Sequence, residues 1–528
     1  MKRWVIWFFV LAVAFVLVSV IYGQAKRQSR KRPVSRSNPA ILTPRPGPAP
    51  RINGPKVYGC RPGNPFLYRI PTTGKRPMVF SARKLPTSLV LDKAEGIITG
   101  TAPARGEYLV TLIARNREGD STRPFRIVCG DTLALTPPMW WNHWYAHYNR
   151  ITDAMVREAA NVMVSSGMAD AGYQYVNIDD CWMNSAPGED TKRLDPNRVG
   201  PARDANGNIL PNKYFRDMRG LTAFIHSKGL KAGIYTSPGP KTCAGYAGSY
   251  GHEAEDGRQF AQWGFDFLKY DWCSYSEIAQ GDKSLEMLQK PYRQMGDILK
   301  EQKRDIVFNL CQYGMGNVWE WGANVGGHSW RTAGDLGFEL NRIVEVALKN
   351  IEHRAYSKPG SWNDPDYIQI GYIGDARTGG LPKLCPMSPN EQYAFMSLWC
   401  LMAAPLFYSG DMSRLDPFTV NVLCNPEVID VDQDPLGRCG EVQHVDQGTF
   451  VMVKILEDGS KAVGLFNQGN TEATVTAAWP ALGIIGRNKV RDLWRQRDLG
   501  LFETQFQATV PAHGVILVRI SPALAATS

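Results

Sequence analysis

The chain of 528 residues contains no Cys-x-x-Cys pair, and its ten cysteines and eight histidines form no quartet with zinc spacing. A structural zinc module is therefore unsupported. There is no Gly-x-Ser-x-Gly elbow and no glycine-rich phosphate loop, so esterase and nucleotide-dependent chemistry lack their usual anchor points. No internal repeat is discernible. Acidic residues are missing from residues 1–51, which hold ten Lys/Arg. The formal net charge of +10 belongs to that leader, because beyond it cations and anions number fifty each. A neutral body behind a basic leader is not the charge distribution of a nucleic-acid enzyme. Ten cysteines in this length are also too few for a disulfide scaffold.

What the chain does have is a sequence of compositional blocks. Met1-Lys2-Arg3 precedes an apolar run from Trp4 to Tyr22, so residues 1–25 read as a signal peptide or membrane anchor, with membrane contact through residues 4–22. Cleavage and anchoring stay open; both imply export, with the body periplasmic, extracellular or held outside the membrane. Residues 26–55 are rich in Arg, Ser and Pro and read as an extended, semi-rigid linker. Residues 56–131 switch to short alternating runs with Gly/Pro turns, the pattern of a small β-sandwich. They resemble the immunoglobulin-like domains of exported bacterial enzymes, with a spacing or packing role. Cys60 and Cys129 bracket this segment and could form a bridge.

Residues 132–437 alternate apolar runs with helical periodicity. The runs are Met139–Trp144, Tyr173–Ile178, Leu230–Tyr235, Phe265–Tyr270, Ile306–Leu310, His328–Arg331, Gly360–Trp362 and Leu406–Ser409. Helical stretches such as Thr152–Ser166, Leu221–Lys228 and Glu253–Trp263 lie between them. Eight such units predict a (β/α)8 TIM barrel, whose chemistry sits where strands end. The strand ends carry Asp179, Asp180, Tyr235, Lys269, Asp271, Gln312, Arg331, Asp335, Asp364, Asp366 and Asp411. Residues 438–528 return to strands and predict a C-terminal antiparallel sandwich.

Among these residues Lys269 and Asp271 lie two apart on one strand and share a face. The ammonium favours an ionised carboxylate, the form a nucleophile needs. Asp335 is the second carboxylate, and two carboxylates of opposite protonation state are what retaining glycoside hydrolysis requires. Asp179-Asp180 suits sugar hydroxyls, which give strong hydrogen bonds to charged acceptors. Trp141, Trp144, Trp182 and Trp272 offer indole faces for a sugar ring or for the core. His143 and His147 have the i, i+4 spacing of a zinc helix but lack its glutamate. No metal and no organic cofactor is expected. Cys243 and Cys273 end neighbouring runs, and bridge or buried thiols both fit.

Several ordered segments resemble glycoside hydrolase family 27, the α-galactosidase and α-N-acetylgalactosaminidase family. They include Trp141-Asn142-His143-Trp144, Asn177-Ile178-Asp179-Asp180-Cys181-Trp182, Thr242-Cys243-Ala244-Gly245-Tyr246, Leu268-Lys269-Tyr270-Asp271, Trp330-Arg331 with Asp335, and Trp362-Asn363-Asp364-Pro365-Asp366. The resemblance implies double displacement on terminal α-galactosides of a glycan, with Asp271 as nucleophile and Asp335 as acid then base. It implies that Asp179 and Asp180 bind the 4- and 6-hydroxyls and Lys269 the 3- and 4-hydroxyls. Arg331 would sit near the 2-position, Trp141 and Tyr235 would line the sugar pocket, and Asp366 would join the binding set. Cys243–Cys273 matches the family's bridge beside the nucleophile. The loop after the fifth strand departs from the family's Cys-Glu-Trp, reading Cys311-Gln312-Tyr313-Gly314. That loop reads the 2-substituent, so Gln312 leaves open α-N-acetylgalactosaminidase, β-L-arabinopyranosidase or isomaltodextranase specificity. The partners once pairing Cys181 and Cys311 are missing, which leaves both thiols free. A non-catalytic glycan-binding protein is the alternative of another class.

Overall fold

The structure, a computed structural model, describes residues 40–185, 195–375 and 379–523. The apolar run 4–22 lies outside the described residues, and among these no helix is long and apolar enough to cross a membrane.

The centre of the molecule is a ring of eight parallel strands: β1 (Met139–Asn142), β2 (Tyr175–Asn177), β3 (Lys231–Thr236), β4 (Phe267–Asp271), β5 (Val307–Cys311), β6 (Ser329–Arg331), β7 (Trp362–Asp364) and β8 (Leu406–Tyr408). Consecutive strands pair from β1 to β7, β8 pairs with β1, and a parallel bridge between Ile368 and Tyr408 links the β7 side to β8. All eight expected runs contain a strand, with ends offset by up to two residues; the seventh shares only Trp362 with the run expected for it. They are buried on both faces, which is why they read as continuous apolar runs rather than alternating ones. The helices obey their local signals. Asp153–Ser165 starts where the Thr152 hydroxyl accepts from the Met155 N–H, and Glu253–Trp263 stops at Gly264, whose φ of 100° only glycine adopts easily.

One strand parity faces the helices, with Trp141, Val176, Ile234, Leu268 and Leu310 in the large core. The other parity fills the ring interior with Trp140, Tyr175, Phe267, Val307 and Phe407 toward the strand starts. The same inward parity then reaches Asn142, Asp179, Tyr235, Lys269, Asp271, Cys311 and Arg331 toward the strand ends, because side chains alternate with period two. Register fixes their heights: Tyr235 lies beside Lys269, and Asp271 beside Cys311.

Before the ring, seven strands from Val57 to Cys129 form a four-stranded and a three-stranded sheet closed on Phe66, Tyr68, Phe80, Ile98, Phe125 and Ile127. Cys60 and Cys129 are opposite each other across a parallel pair, with their sulfurs 3.3 Å apart and not joined. This sandwich is seated on the ring's strand-start end. Arg61 pairs with Asp305 at 2.9 Å and donates to the Lys300 carbonyl at 2.6 Å, while Lys231 of β3 sits 4.2 Å over the Tyr58 ring. Residues 41–55 do not behave as a linker that stands clear of the body. The Leu42 N–H donates to the Tyr393 hydroxyl, the Asn425 amide donates to Thr43, and Arg51 pairs with Asp430. The segment is a strap running along the body to the sandwich. After the ring, Glu441–Pro522 forms a six-stranded antiparallel sheet faced by a two-stranded one, with Val463, Leu465, Trp479, Phe506 and Val518 between them.

Candidate active site

The strand ends enclose a cavity of about 270 Å³ lined by Trp144, Tyr145, Tyr148, Asp179, Tyr235, Cys243, Lys269, Asp271, Cys311, Tyr313, Arg331, Asp335 and Tyr367. Most of the polar strand-end residues meet here, as alternation requires. Asp271 is at its floor, at the end of β4. The Tyr313 hydroxyl donates to its Oδ1 at 2.6 Å, the Tyr235 hydroxyl reaches Oδ2 at 3.5 Å, and the Lys269 ammonium stands 3.7 Å from Oδ2. Burial raises the Asp271 carboxyl above its ordinary value, and Lys269 and the Tyr313 hydrogen bond hold that rise back.

Asp179 is the most heavily bonded carboxylate. Its Oδ2 accepts from Asn142 at 2.7 Å, Lys269 at 2.9 Å and Tyr367 at 3.0 Å, and its Oδ1 from the Asp180 N–H at 2.9 Å. Burial works to raise it, but Lys269 and these donors together bring it below the usual carboxylate range. Lys269 thus sits between two anions with its ammonium 5.0 Å from the Tyr235 and Tyr367 rings. Burial costs that ammonium, and Asp179 more than offsets the cost, keeping it charged.

On the opposite wall the buried Arg331 guanidinium pairs with Asp366 at 3.0 Å and donates to Asp335 Oδ1 at 3.4 Å. Asp335 is the one carboxylate of the set that opens to solvent, its side chain 43% exposed. A buried carboxylate facing a water-accessible one across a small cavity is the arrangement that separates a fixed anion from a proton carrier. Cys243 and Cys273 form a disulfide, which fastens the loop after β3 to the loop after β4, and the Tyr235 hydroxyl lies 3.5 Å from Cys273 Sγ.

Four of the expected site residues stand one layer behind the wall. Trp141 points toward the helices and donates its indole N–H to the Gly410 carbonyl at 2.8 Å; Trp144 lines the cavity in its place. Asp180 accepts from the Ala244 N–H at 2.8 Å and the Cys181 N–H at 2.7 Å, and burial pushes it up to about 7. Gln312 clamps its own loop, accepting from the Met315 N–H at 2.6 Å and donating to the Met315 carbonyl at 3.2 Å. Asp366 holds Arg331 and accepts from the Leu336 N–H at 2.8 Å. Trp141, Asp180 and Gln312 all have the outward parity of their strands, while Asn142, Asp179 and Tyr313 have the inward one. Asp366 has a φ of 122°, which breaks the alternation and brings Tyr367 to the cavity.

Tyr145, Tyr148, Tyr313 and Tyr367 were missed among the cavity residues, although Tyr313 and Tyr367 directly follow Gln312 and Asp366. His143, excluded above as half of a zinc helix, accepts the Asp179 N–H on Nδ1 at 3.0 Å, and burial lowers it to about 3, leaving the ring neutral as that acceptor role demands. Asp364 and Asp411 serve their own loops, accepting from the Asp366 and Ser413 N–H groups at 3.0 Å each. Cys181 and Cys311 are unpaired and buried.

Comparison with known proteins places this geometry. Residues 136–434 match the family model described as alpha galactosidase A, residues 446–520 the alpha galactosidase C-terminal beta sandwich domain, and residues 49–130 an Ig domain. An alpha-galactosidase of Oryza sativa subsp. japonica is 35% identical over 426 residues, which cover 80% of this chain and 93% of that one. A Bacteroides fragilis crystal structure assigned to alpha-galactosidase/melibiase is 34% identical with a TM-score of 0.82, over 91% of this chain and 99% of that one. The crystal structure of alpha-galactosidase I from Mortierella vinacea is 28% identical with a TM-score of 0.65, over 75% and 99%. The family model covers more than half of the chain, the Oryza sativa relative is 35% identical over most of both chains, and the chain belongs to the alpha galactosidase A family of glycoside hydrolases.

Proposed function

We propose that the chain hydrolyses terminal α-D-galactosyl residues of oligo- or polysaccharides by retaining double displacement. The observation that carries this is the pairing of Asp271, buried and held by Lys269 and Tyr313, with the half-exposed Asp335 in one cavity of about 270 Å³. In the first step an Asp271 oxygen bonds to the anomeric carbon as the glycosidic bond breaks, and Asp335 gives its proton to the departing oxygen. In the second step Asp335 takes a proton from water, whose oxygen bonds to the same carbon and releases Asp271. Lys269 stabilises both anions and turns its remaining hydrogens to the sugar hydroxyls. Asp179 does the same as an acceptor. Trp144, Tyr145 and Tyr148 offer aromatic surface to the apolar face of the ring.

A cavity of about 270 Å³ at the strand ends suits one terminal sugar ring rather than a chain interior, which favours exo cleavage. Among aryl glycosides the α-galactoside is expected to exceed the α-N-acetylgalactosaminide, β-L-arabinopyranoside and α-glucoside by about tenfold or more in kcat/KM. Preference for another sugar would move the specificity to a sister activity, and silence from folded protein would favour glycan binding without catalysis. The acid limb of kcat/KM reports the free nucleophile. Because burial raises Asp271, that limb should lie above the ordinary aspartate value of ~4, with activity lost as pH falls through it.

Export of the body is part of the same proposal. Its support is the disulfide beside the nucleophile, a bond that persists in oxidising compartments. Peptide mapping of native material should find Cys243 and Cys273 joined; finding both as free thiols would count against export.

A further inference from the structure

The loop after β5 is built with unusual care around one hydroxyl. Tyr313 has a φ of 65° and the following Gly314 a φ of 87°, both in the left-handed region that side chains avoid. A Cβ on Gly314 would lie 2.5 Å from the Thr332 carbonyl oxygen, so the turn tolerates only glycine. Gln312 closes the loop with both ends of its amide on Met315, and the Arg331 guanidinium lies 5.7 Å from the Tyr313 ring. The product of this strain and clamping is a 2.6 Å hydrogen bond from the Tyr313 hydroxyl to Asp271 Oδ1. Strained backbone of this kind persists where function requires it.

The two oxygens of Asp271 are consequently unequal. Oδ1 accepts the short Tyr313 bond, whereas Oδ2, among the described residues, has the longer 3.5 Å contact to Tyr235 and the 3.7 Å contact to Lys269. We propose that Tyr313 is a positioning residue that assigns Oδ2 as the attacking oxygen and Oδ1 as the carbonyl oxygen of the glycosyl-enzyme ester, and that its hydroxyl promotes release of that ester. This rests on the reading of Asp271 as nucleophile. When the ester forms, charge leaves Oδ1 and the Tyr313 bond weakens. When water attacks the anomeric carbon, the C1–Oδ2 bond breaks, its electron pair returns to the carboxylate, and the hydroxyl meets growing charge on Oδ1. A donor aimed at developing charge accelerates the step in which that charge appears. Tyr313 therefore slows glycosylation slightly and speeds deglycosylation.

The other groups facing Asp271 among the described residues are Lys269 on its own strand, Asp179 from the loop after β2, Tyr235 from β3, Tyr292 from the helix Leu285–Glu301, Cys311 from β5, and Arg331 with Asp335 from β6 and the loop after it. Tyr313→Phe leaves all of them and removes one oxygen. With a dinitrophenyl α-galactoside, whose leaving group departs without help, the variant should keep the rapid first release of phenol. Its kcat should fall about tenfold to a hundredfold, with a hexosyl adduct on Asp271 accumulating in quenched samples. The acid limb of kcat/KM should rise by about one pH unit. Gln312→Met, which opens the clamp and leaves the phenol in the chain, should move the limb the same way. Equal falls in the first release and in kcat, with the limb unmoved in both variants, would overturn the inference, even where wild type shows an Asp271 adduct. An adduct on another residue in wild type would instead remove the nucleophile assignment, and this inference with it.

Discussion

Asp271→Asn is expected to lower kcat by about 10⁴-fold or more, in line with loss of a covalent nucleophile, while the unfolding transition stays close to that of wild type. The two halves of this expectation have separate origins. Turnover fails because an amide cannot form the glycosyl ester, and no neighbouring carboxylate takes its place. Asp179 is held in place by four protein donors, and Asp366 is committed to Arg331 and the Leu336 N–H. Folding persists because Lys269 keeps its 2.9 Å bond to Asp179, so no buried cation is stranded. Burial also disfavours the Asp271 charge, so a neutral amide does not forfeit a favourable buried ion. Retained turnover on any α-galactoside would remove Asp271 from the mechanism. A collapse of stability together with activity would assign it a structural role.

Asp335→Ala should divide substrates by their leaving groups. Alkyl and sugar leaving groups need a proton, so their glycosylation is expected to slow by about 10²–10⁴-fold. A dinitrophenyl substrate needs none, and its first phenol release should change much less. Its steady state would still be slow, because the water that resolves the glycosyl-enzyme has lost its base, and added azide should restore it, since that anion attacks without deprotonation. Arg331 would keep its 3.0 Å partner in Asp366, so the wall itself should stand. Equal losses on good and poor leaving groups, with no azide effect, would contradict the acid/base role.

The ring was legible because parallel strands buried on both faces leave long apolar runs ending in polar residues, a signal that survives without any alignment. Asp271, Lys269 and Asp179 followed from where those runs stop. The expected residues that stand behind the wall share one physical feature. Trp141, Asp180 and Gln312 lie at strand ends, but a strand end also has a parity, and theirs points outward. Counting back by twos from Asp271, or forward from Trp140, reaches the inward set. Tyr367 escapes even that rule, because the positive φ of Asp366 interrupts the alternation. Tyr145 and Tyr148 belong to the segment after β1, where the Trp144–His147 turn of helix and the Tyr148–Arg150 3-10 turn replace the expected strand end. The docking of residues 41–55 depended on partners hundreds of residues away, such as Tyr393 and Asn425, which no local pattern announces.

The central claim is a double displacement at one anomeric carbon, and the anomer first released tests it directly. Proton NMR during hydrolysis of an aryl α-galactoside, followed before mutarotation, should show α-galactose appearing first. If β-galactose appears first, a single displacement is at work, Asp271 does not form a glycosyl ester, and the account of Tyr313 falls with it.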